Sequence, residues 1–181
     1  MATFSNWFIR VDPLYQGVLF EKEFSKYVGN KYSIAVSNGS VALEMALKAL
    51  NLKKNDKIIV TPRSFIISSS CVINLGFKPV FADVDSNGNL SIEGIKKSYT
   101  NKVKAIIVVH LNGFPCNLDP IIGFARKKNI KIIEDCSQAH GTRKLNKHVG
   151  TFGDIGTFSF FPGKGIGAFG DAGACITMNK E

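Results

Sequence analysis

Lys164 stands in the run TFSFFPGKGIGAFGDAGA, Thr157 to Ala174, behind a row of aromatics and inside a cluster of glycines. Glycine lets backbone approach a ligand closely and turn at positive φ, which suits a lysine that must meet a small flat molecule. Taken alone, a Lys-Gly pair reads as a solvated lysine on a flexible loop, and only the residues found elsewhere in the chain argue otherwise. Gly165-Ile166-Gly167-Ala168-Phe169-Gly170 spells GxGxxG. That fingerprint follows a first strand, opens a helix and is answered by an acidic residue about 20 positions on. Here another strand-like run, Ala174 to Met178, follows almost at once, so the match reads as accidental. A Walker A loop needs Ser or Thr after its lysine, and Gly165 stands there instead.

Other residues able to do chemistry lie earlier. Ser37-Asn38-Gly39-Ser40 ends one apolar run and opens a helical one. Small residues with free N–H groups at a helix start can hold an anion such as a phosphate, though Asn38 or Ser40 also suits a plain N-cap. Thr61-Pro62-Arg63-Ser64-Phe65 brings an aromatic to the end of a second run, though Phe65 taken alone reads as core. Glu134-Asp135-Cys136-Ser137-Gln138-Ala139-His140-Gly141 puts carboxylates at the end of KIIED. A buried carboxylate without a partner is costly, so this one serves a ligand or bonds a nearby loop N–H.

The elements that must position these residues alternate along the chain. Residues 1–30 start irregular and become amphipathic, with Leu19, Phe20, Phe24 and Tyr27 at helical spacing before Gly29. Strands are expected at Tyr32–Ser37, Lys57–Thr61, Pro79–Val84, Lys104–His110 and Lys131–Cys136, with two more at Thr157–Phe161 and Ala174–Met178. Helices are expected at Ser40–Leu50, Ser64–Leu75, Ile92–Tyr99 and Leu118–Lys128. AIIVVH and KIIED are apolar throughout rather than alternating, which marks strands covered on both faces of a parallel sheet. The fold class is α/β, doubly wound, and such sheets bind ligands beyond the carboxyl ends of their strands.

With 181 residues, 45% of them hydrophobic, the chain can bury a real core. No apolar run approaches the roughly 20 residues that span a bilayer, and the N-terminus lacks signal-peptide order. Cys71, Cys116, Cys136 and Cys175 form no CxxC and no cluster with histidine. They read as small buried residues in a reducing compartment, so the expectation is cytoplasmic, with no membrane and no metal. The net charge of +9 raises nucleic acid as a partner, but only four of the 23 basic residues are arginine and the lysines are scattered. A solvated surface explains them better than a nucleic-acid face, because arginine supplies the planar fork suited to phosphates and bases.

A phosphate cradle, an aromatic ring, a carboxylate, an amide and a lysine together fit pyridoxal 5'-phosphate. That molecule offers a phosphate, a flat ring with a pyridine nitrogen and a phenolic oxygen, and an aldehyde that lysine captures as a Schiff base. VSNGSVALEMALKAL, TPRSFI, PVFADVD, VHLNGFPCNLD, IEDCSQAHG and GDIGTFSFFPGKGIGAFGDAG closely resemble the DegT/DnrJ/StrS family of nucleotide-sugar aminotransferases, from about Leu14 to Met178. The resemblance implies an aspartate-aminotransferase-like large domain with a mostly parallel seven-stranded sheet and helices on both faces. It implies that Lys164 attaches the cofactor covalently and is the catalytic residue. Asp135 would bind the pyridine nitrogen, Gln138 the ring hydroxyl, and Phe65 would stack on the ring. Gly39 and Ser40, with the hydroxyl of Ser159, would hold the phosphate.

The reaction so implied moves an amino group, usually from glutamate, to a keto sugar on a nucleotide diphosphate. Members that dehydrate the sugar instead carry histidine in place of the lysine, and Lys164 is present. A non-catalytic regulatory module is a further alternative, against which the intact set Asp135, Gln138, Ser159 and Lys164 argues. A nicotinamide-dependent enzyme built on GIGAFG is a more distant one. The chain departs from the family pattern at Gly165 and at Asp171-Ala172-Gly173. The resemblance also implies a longer protein that works as a homodimer. On it, residues 1–30 are an N-terminal segment and helix, 31–181 form the cofactor-binding large domain, and the C-terminal small domain is absent. A chain so cut is expected to expose apolar surface on its helix layers, to bind cofactor poorly and to be inactive alone.

Overall fold

Two apolar strands set the centre of the fold. β4 (Val103–Val109) and β5 (Lys131–Asp135) pair in parallel and are buried along nearly their whole length. Their alternating side chains therefore need cover on both sides. The computed structural model describes residues 13–179, and the expectations for residues 1–12 lie outside the described residues. One face of the sheet presents Ile58, Val60, Ala105, Ile107, Val109 and Ile133 to α2 (Gly39–Ala49) and α3 (Ile67–Asn74). The other presents Ile59, Ile106, Val108 and Ile132 to α4 (Ile92–Ser98) and α5 (Leu118–Lys128). Each fully buried Ile or Leu contributes roughly 1.5–3 kcal/mol, so stability concentrates at this double-covered centre rather than at the sheet edges.

The sheet has seven strands in the order β1-β9-β8-β5-β4-β2-β3, where β1 is Tyr32–Val36, β2 Lys57–Val60, β3 Lys78–Phe81, β8 Ile155–Ser159 and β9 Gly173–Thr177. β3, β2, β4, β5 and β8 run parallel; β9 runs antiparallel to both β8 and β1. The carboxyl ends of β1, β2, β4, β5 and β8 therefore share one edge, and the start of β9 returns to it. A helix from Pro13 to Val28, α1, closes the β1 side. Phe24 and Val28 pack on Phe158, Phe160, Ala174 and Ile176, and Phe24 meets the Phe158 ring edge-on at 4.9 Å between centroids. Glu21 of α1 also accepts a hydrogen bond from the Ala35 amide at 2.8 Å. That satisfies one orphan donor on an edge strand, which is how an edge is kept from pairing with another chain.

The expected α/β sheet is present, with shifted boundaries. β3 ends at Phe81 rather than Val84, because the Asp83 carbonyl turns to accept the amide and hydroxyl of Ser91, the N-cap of α4. α3 starts at Ile67 rather than Ser64, which leaves Phe65 and Ile66 exposed on the approach. A short hairpin of β6 (Arg143–Lys144) and β7 (Lys147–His148) was not expected from the sequence. Its turn residues Leu145 and Asn146 both take positive φ, 48° and 62°, as a two-residue hairpin turn demands. The helix layers expose Val18, Leu19, Met45 and Ile73, but more exposed aromatic surface lies on loops at the carboxyl edge, at Phe65, Phe114, Phe161 and Phe169. Among the described residues no helix is long and apolar enough to cross a membrane, and no group of His, Cys, Asp and Glu is placed to hold a metal ion.

Candidate active site

The shared carboxyl edge opens into a cavity of about 500 Å3. Gly39, Ser40, Phe65, Asp135, Gln138, Ser159 and Lys164 all line it, brought from β1, β2, β5 and β8. Asn38, expected only as a helix cap, also lines it, as do Ser64, Ser137, Phe161 and Asp171, none of which was expected at the site. The GIGAFG run forms an irregular loop between β8 and β9, with no helix behind it, so it lacks the setting a dinucleotide fingerprint needs.

One end of the cavity is an anion cradle. Asn38 caps α2 by accepting the Val41 amide at 3.0 Å. The amides of Gly39 and Ser40 precede the first intrahelical bond, and the helix dipole points its positive end at the cavity. Both readings of Asn38-Gly39-Ser40 thus hold together, the cap organising the turn whose amides face the site. Space here is tight enough to require glycine. A Cβ on Gly39 would stand 2.6 Å from Ser159 Cβ, and one on Gly173 would stand 2.5 Å from the Asn38 carbonyl carbon. Removing those two carbons lets β1, β8 and β9 converge on one point and places Ser159 beside the helix start.

The floor is the end of β5. Asp135 is 4% exposed, and its Oδ1 accepts the Ser137 amide at 3.0 Å. The second carboxylate oxygen, Oδ2, is left for a ligand. Gln138 is oriented from the far side, because its Oε1 accepts the Asn112 amide at 2.8 Å. That bond assigns the carbonyl oxygen to Asn112 and leaves the NH2 group as a donor. Asn112 reaches it from a short 3-10 turn, Leu111–Gly113, in which Asn112 takes a left-handed φ of 53°. Phe65 is 68% exposed at the mouth, so its ring has a free face. Lys164 sits on a turn closed by its own amide donating to the Phe161 carbonyl at 2.8 Å.

Behind the floor lies a second carboxylate, fully buried. Glu134 accepts the amides of Gly150, Phe152 and Gly153 at 2.8, 2.7 and 2.6 Å, and His110 Nε2 lies 3.0 Å from Oε2. His110 Nδ1 accepts the Cys116 amide at 3.1 Å, so the ring proton sits on Nε2 and is donated to Glu134. Burial pushes the Glu134 carboxyl up, but the His110 hydrogen bond and the amides of Gly150 and Gly153 outweigh it and hold it below the usual carboxylate range. The four cysteines are free and buried, and burial raises the thiols of Cys71, Cys116 and Cys175 to about 12. They are inert packing groups.

The residues present fit pyridoxal phosphate on the geometry alone: amides and a hydroxyl at a glycine-cleared helix start, a buried carboxylate, an oriented amide donor and a lysine share one cavity. Known proteins agree. The chain is 41% identical over 162 residues to the GDP-perosamine synthase of Escherichia coli O157:H7, covering 89% of this chain and 44% of that protein. It superposes on the aminotransferase from Psychrobacter cryohalolentis with a TM-score of 0.89 and 44% identity, over 91% of this chain and 42% of that one. A GDP-4-keto-6-deoxymannose-3-dehydratase solved with a trapped pyridoxal phosphate–glutamate geminal diamine gives 0.86 and 35%, over 91% and 44%. The chain thus spans less than half the length of these relatives. Residues 3–181 match the DegT/DnrJ/EryC1/StrS aminotransferase family, and the chain belongs to that family.

Proposed function

We propose that this chain is the cofactor-binding half of a pyridoxal-phosphate-dependent aminotransferase that places an amino group, supplied by glutamate, on a keto sugar carried by a nucleotide diphosphate. The observation that carries the reading is the convergence of Lys164 with Gly39, Ser40, Phe65, Asp135, Gln138 and Ser159 on one cavity. When bound, pyridoxal phosphate supplies an electron sink that lets a carbon-bound proton leave. The amides of Gly39 and Ser40, with the Ser159 hydroxyl, hold its phosphate. The Asp135 carboxylate holds a proton on the ring nitrogen by charge, which sustains the sink. The Gln138 NH2 group donates to the ring oxygen, and Phe65 covers one ring face and excludes water. Lys164 Nζ would hold the cofactor in the resting protein and, when its amine is free, would accept the proton that leaves the amino donor's carbon and give it back on the other side of the nitrogen.

The working protein in this reading is a cytoplasmic homodimer, longer than the chain described, because holding a nucleotide-linked sugar needs contacts beyond one sheet edge. One feature favours transamination over dehydration: Lys164, which can both bind cofactor and move a proton, stands where the dehydrating members of the family carry histidine. The test is chemical. Borohydride reduction of the full-length protein after incubation with pyridoxal phosphate is expected to fix the pyridoxyl group on the peptide containing Lys164. Label on any other lysine would overturn the assignment. Amino transfer from glutamate to a nucleotide-linked keto sugar, followed by mass spectrometry, tests the reaction itself.

A further inference from the structure

The cavity takes one edge of the sheet; the opposite edge, where β2, β3, β4 and β5 begin, gathers lysines that the sequence scatters. Lys57 opens β2, Lys78 opens β3, Lys104 is the second residue of β4 and Lys131 opens β5. Lys57 and Lys78 are register partners on neighbouring parallel strands. Lys57 and Lys131 pair with Val103 and Ala105, on either side of Lys104. Neighbouring strands lie about 4.8 Å apart, so the four lysines make a row about 15 Å wide. Loops thicken the row. The Lys57 amide donates to the Lys102 carbonyl at 2.9 Å, Lys53-Lys54 lies in the turn into β2, and Lys127-Lys128 ends α5 just before β5. Helix ends draw cations because their last carbonyls carry partial negative charge, which accounts for Lys127 and Lys128. It does not account for lysines in register on adjacent strands, where like charges destabilise the pair.

The acids standing among these lysines are already engaged. Asp56 Oδ2 accepts the Lys53 amide at 2.8 Å, and Asp154 takes the Lys131 ammonium and the Ile132 amide, each at 2.8 Å. Among the described residues no ion pair reaches Lys57, Lys78 or Lys102, and Lys78, Lys102 and Lys104 are exposed. Asp83 and Asp85 follow β3, Asp119 stands in the first turn of α5 and Asp171 lines the cavity, all toward the other edge. The charge is thus polarised across the fold. We propose that the amino edge of the sheet is a docking face for an anionic lipid surface. Ammonium groups on flexible stems are point charges, suited to mobile headgroups that each move under a lysine. Nucleic acid calls for arginine forks or for rings on which bases stack. Arg126 is the one arginine at this edge among the described residues, and the Tyr99 ring is taken, with Lys128 over it at 5.3 Å and Phe124 edge-on at 5.4 Å. Contact with headgroups needs no spanning helix. The seven residues of β4, at about 3.3 Å each, hold the cavity mouth roughly 20 Å off such a surface, open to soluble substrate. The face lies apart from the cavity, so the cofactor reading has no bearing on it.

Flotation of the full-length protein with lipid vesicles reads this directly. Vesicles of phosphatidylcholine with about a third phosphatidylglycerol are expected to bind it at least about tenfold better than phosphatidylcholine alone. The difference should fade as salt rises and the Debye length shortens. The triple variant Lys57→Gln, Lys78→Gln, Lys104→Gln should weaken binding about fivefold for each lysine removed. A second triple variant, Lys22→Gln, Arg63→Gln, Lys97→Gln, has the same net charge but lies off this edge, and should weaken binding less than about twofold. Lys53→Gln with Lys54→Gln, confined to a turn, repeats the reading without touching a strand, and should also cost about fivefold per lysine. Circular dichroism checks that each variant is folded. No preference for the anionic vesicles, or an equal loss in the two triple variants, would overturn the proposal. Displacement of the protein from anionic vesicles by a single-stranded RNA at equal phosphate concentration would also overturn it, and would assign the face to nucleic acid.

Discussion

The two faces of β5 end in carboxylates that the fold treats in opposite ways. Glu134 turns inward, is fully buried, and has three backbone amides and the His110 ring on its two oxygens. Asp135 turns to the cavity with one amide on Oδ1 and its second oxygen open to the site. Adjacent residues on a strand point to opposite faces, so one step along the chain separates an anchor from a functional group. Glu134 ties β5 to the loop of residues 150–153, and through His110 and Cys116 to the loop that carries Asn112 and so holds Gln138. A saturated carboxylate is structural and an unsaturated one at a cavity is available for chemistry.

The widest separation is expected from Glu134→Ala. Three backbone amides and a buried imidazole would lose their acceptor, a change on the order of 3–5 kcal/mol, seen as a lowered midpoint in chemical denaturation. A loss under about 1 kcal/mol would mean water or a neighbour replaces the carboxylate, and the anchor reading would fail. Asp135→Asn should do the reverse. Stability should stay within about 1 kcal/mol while turnover of the full-length protein falls about a hundredfold, the scale of a lost charge-stabilising partner. Near-normal turnover by a folded Asp135→Asn protein would return both carboxylates to the structural class.

Gly39→Ala tests the cradle beside them. Its methyl would stand 2.6 Å from Ser159 Cβ, so β1 or β8 must give way, at a cost of about 1–3 kcal/mol. Titration with pyridoxal phosphate should show weakened binding beyond what the fall in melting temperature explains. Intact affinity would mean that the Gly39 and Ser40 amides do not hold the phosphate.

The smallest effect sharpens the comparison by pH. Glu134 is held below the ordinary carboxylate range in the folded chain. Its contribution is complete above the unfolded value and is lost as pH falls through the lower folded one. His140 is also lowered, but its protonated form is the charged one. The unfolded chain therefore binds the extra proton first, and stability declines as pH drops below about 6.5. Denaturation midpoints between neutral and acid pH should fall in two separated stages, and His140→Gln should remove only the higher one. A single acid transition in both proteins would show that His140 is not held neutral by the fold.

Apolar periodicity and turn residues were enough for the sequence to determine the α/β class and every strand of the main sheet to within a few residues, while the seven residues that line the cavity were named as a set only through the family resemblance of its motifs. Those signals are local: a run such as AIIVVH declares two covered faces whatever its neighbours are, and a helix start declares its free amides. What only the tertiary structure decided is who partners whom. Nothing near Glu134 in sequence marks it as the anchor, since its acceptors' donors lie 16 to 24 residues away. The same holds for Asn112 on Gln138 and for Ser159 on His140, contacts across 26 and 19 residues. Residue type states what a group can donate or accept, and only the crossing of strands and loops settles which groups come within hydrogen-bond reach.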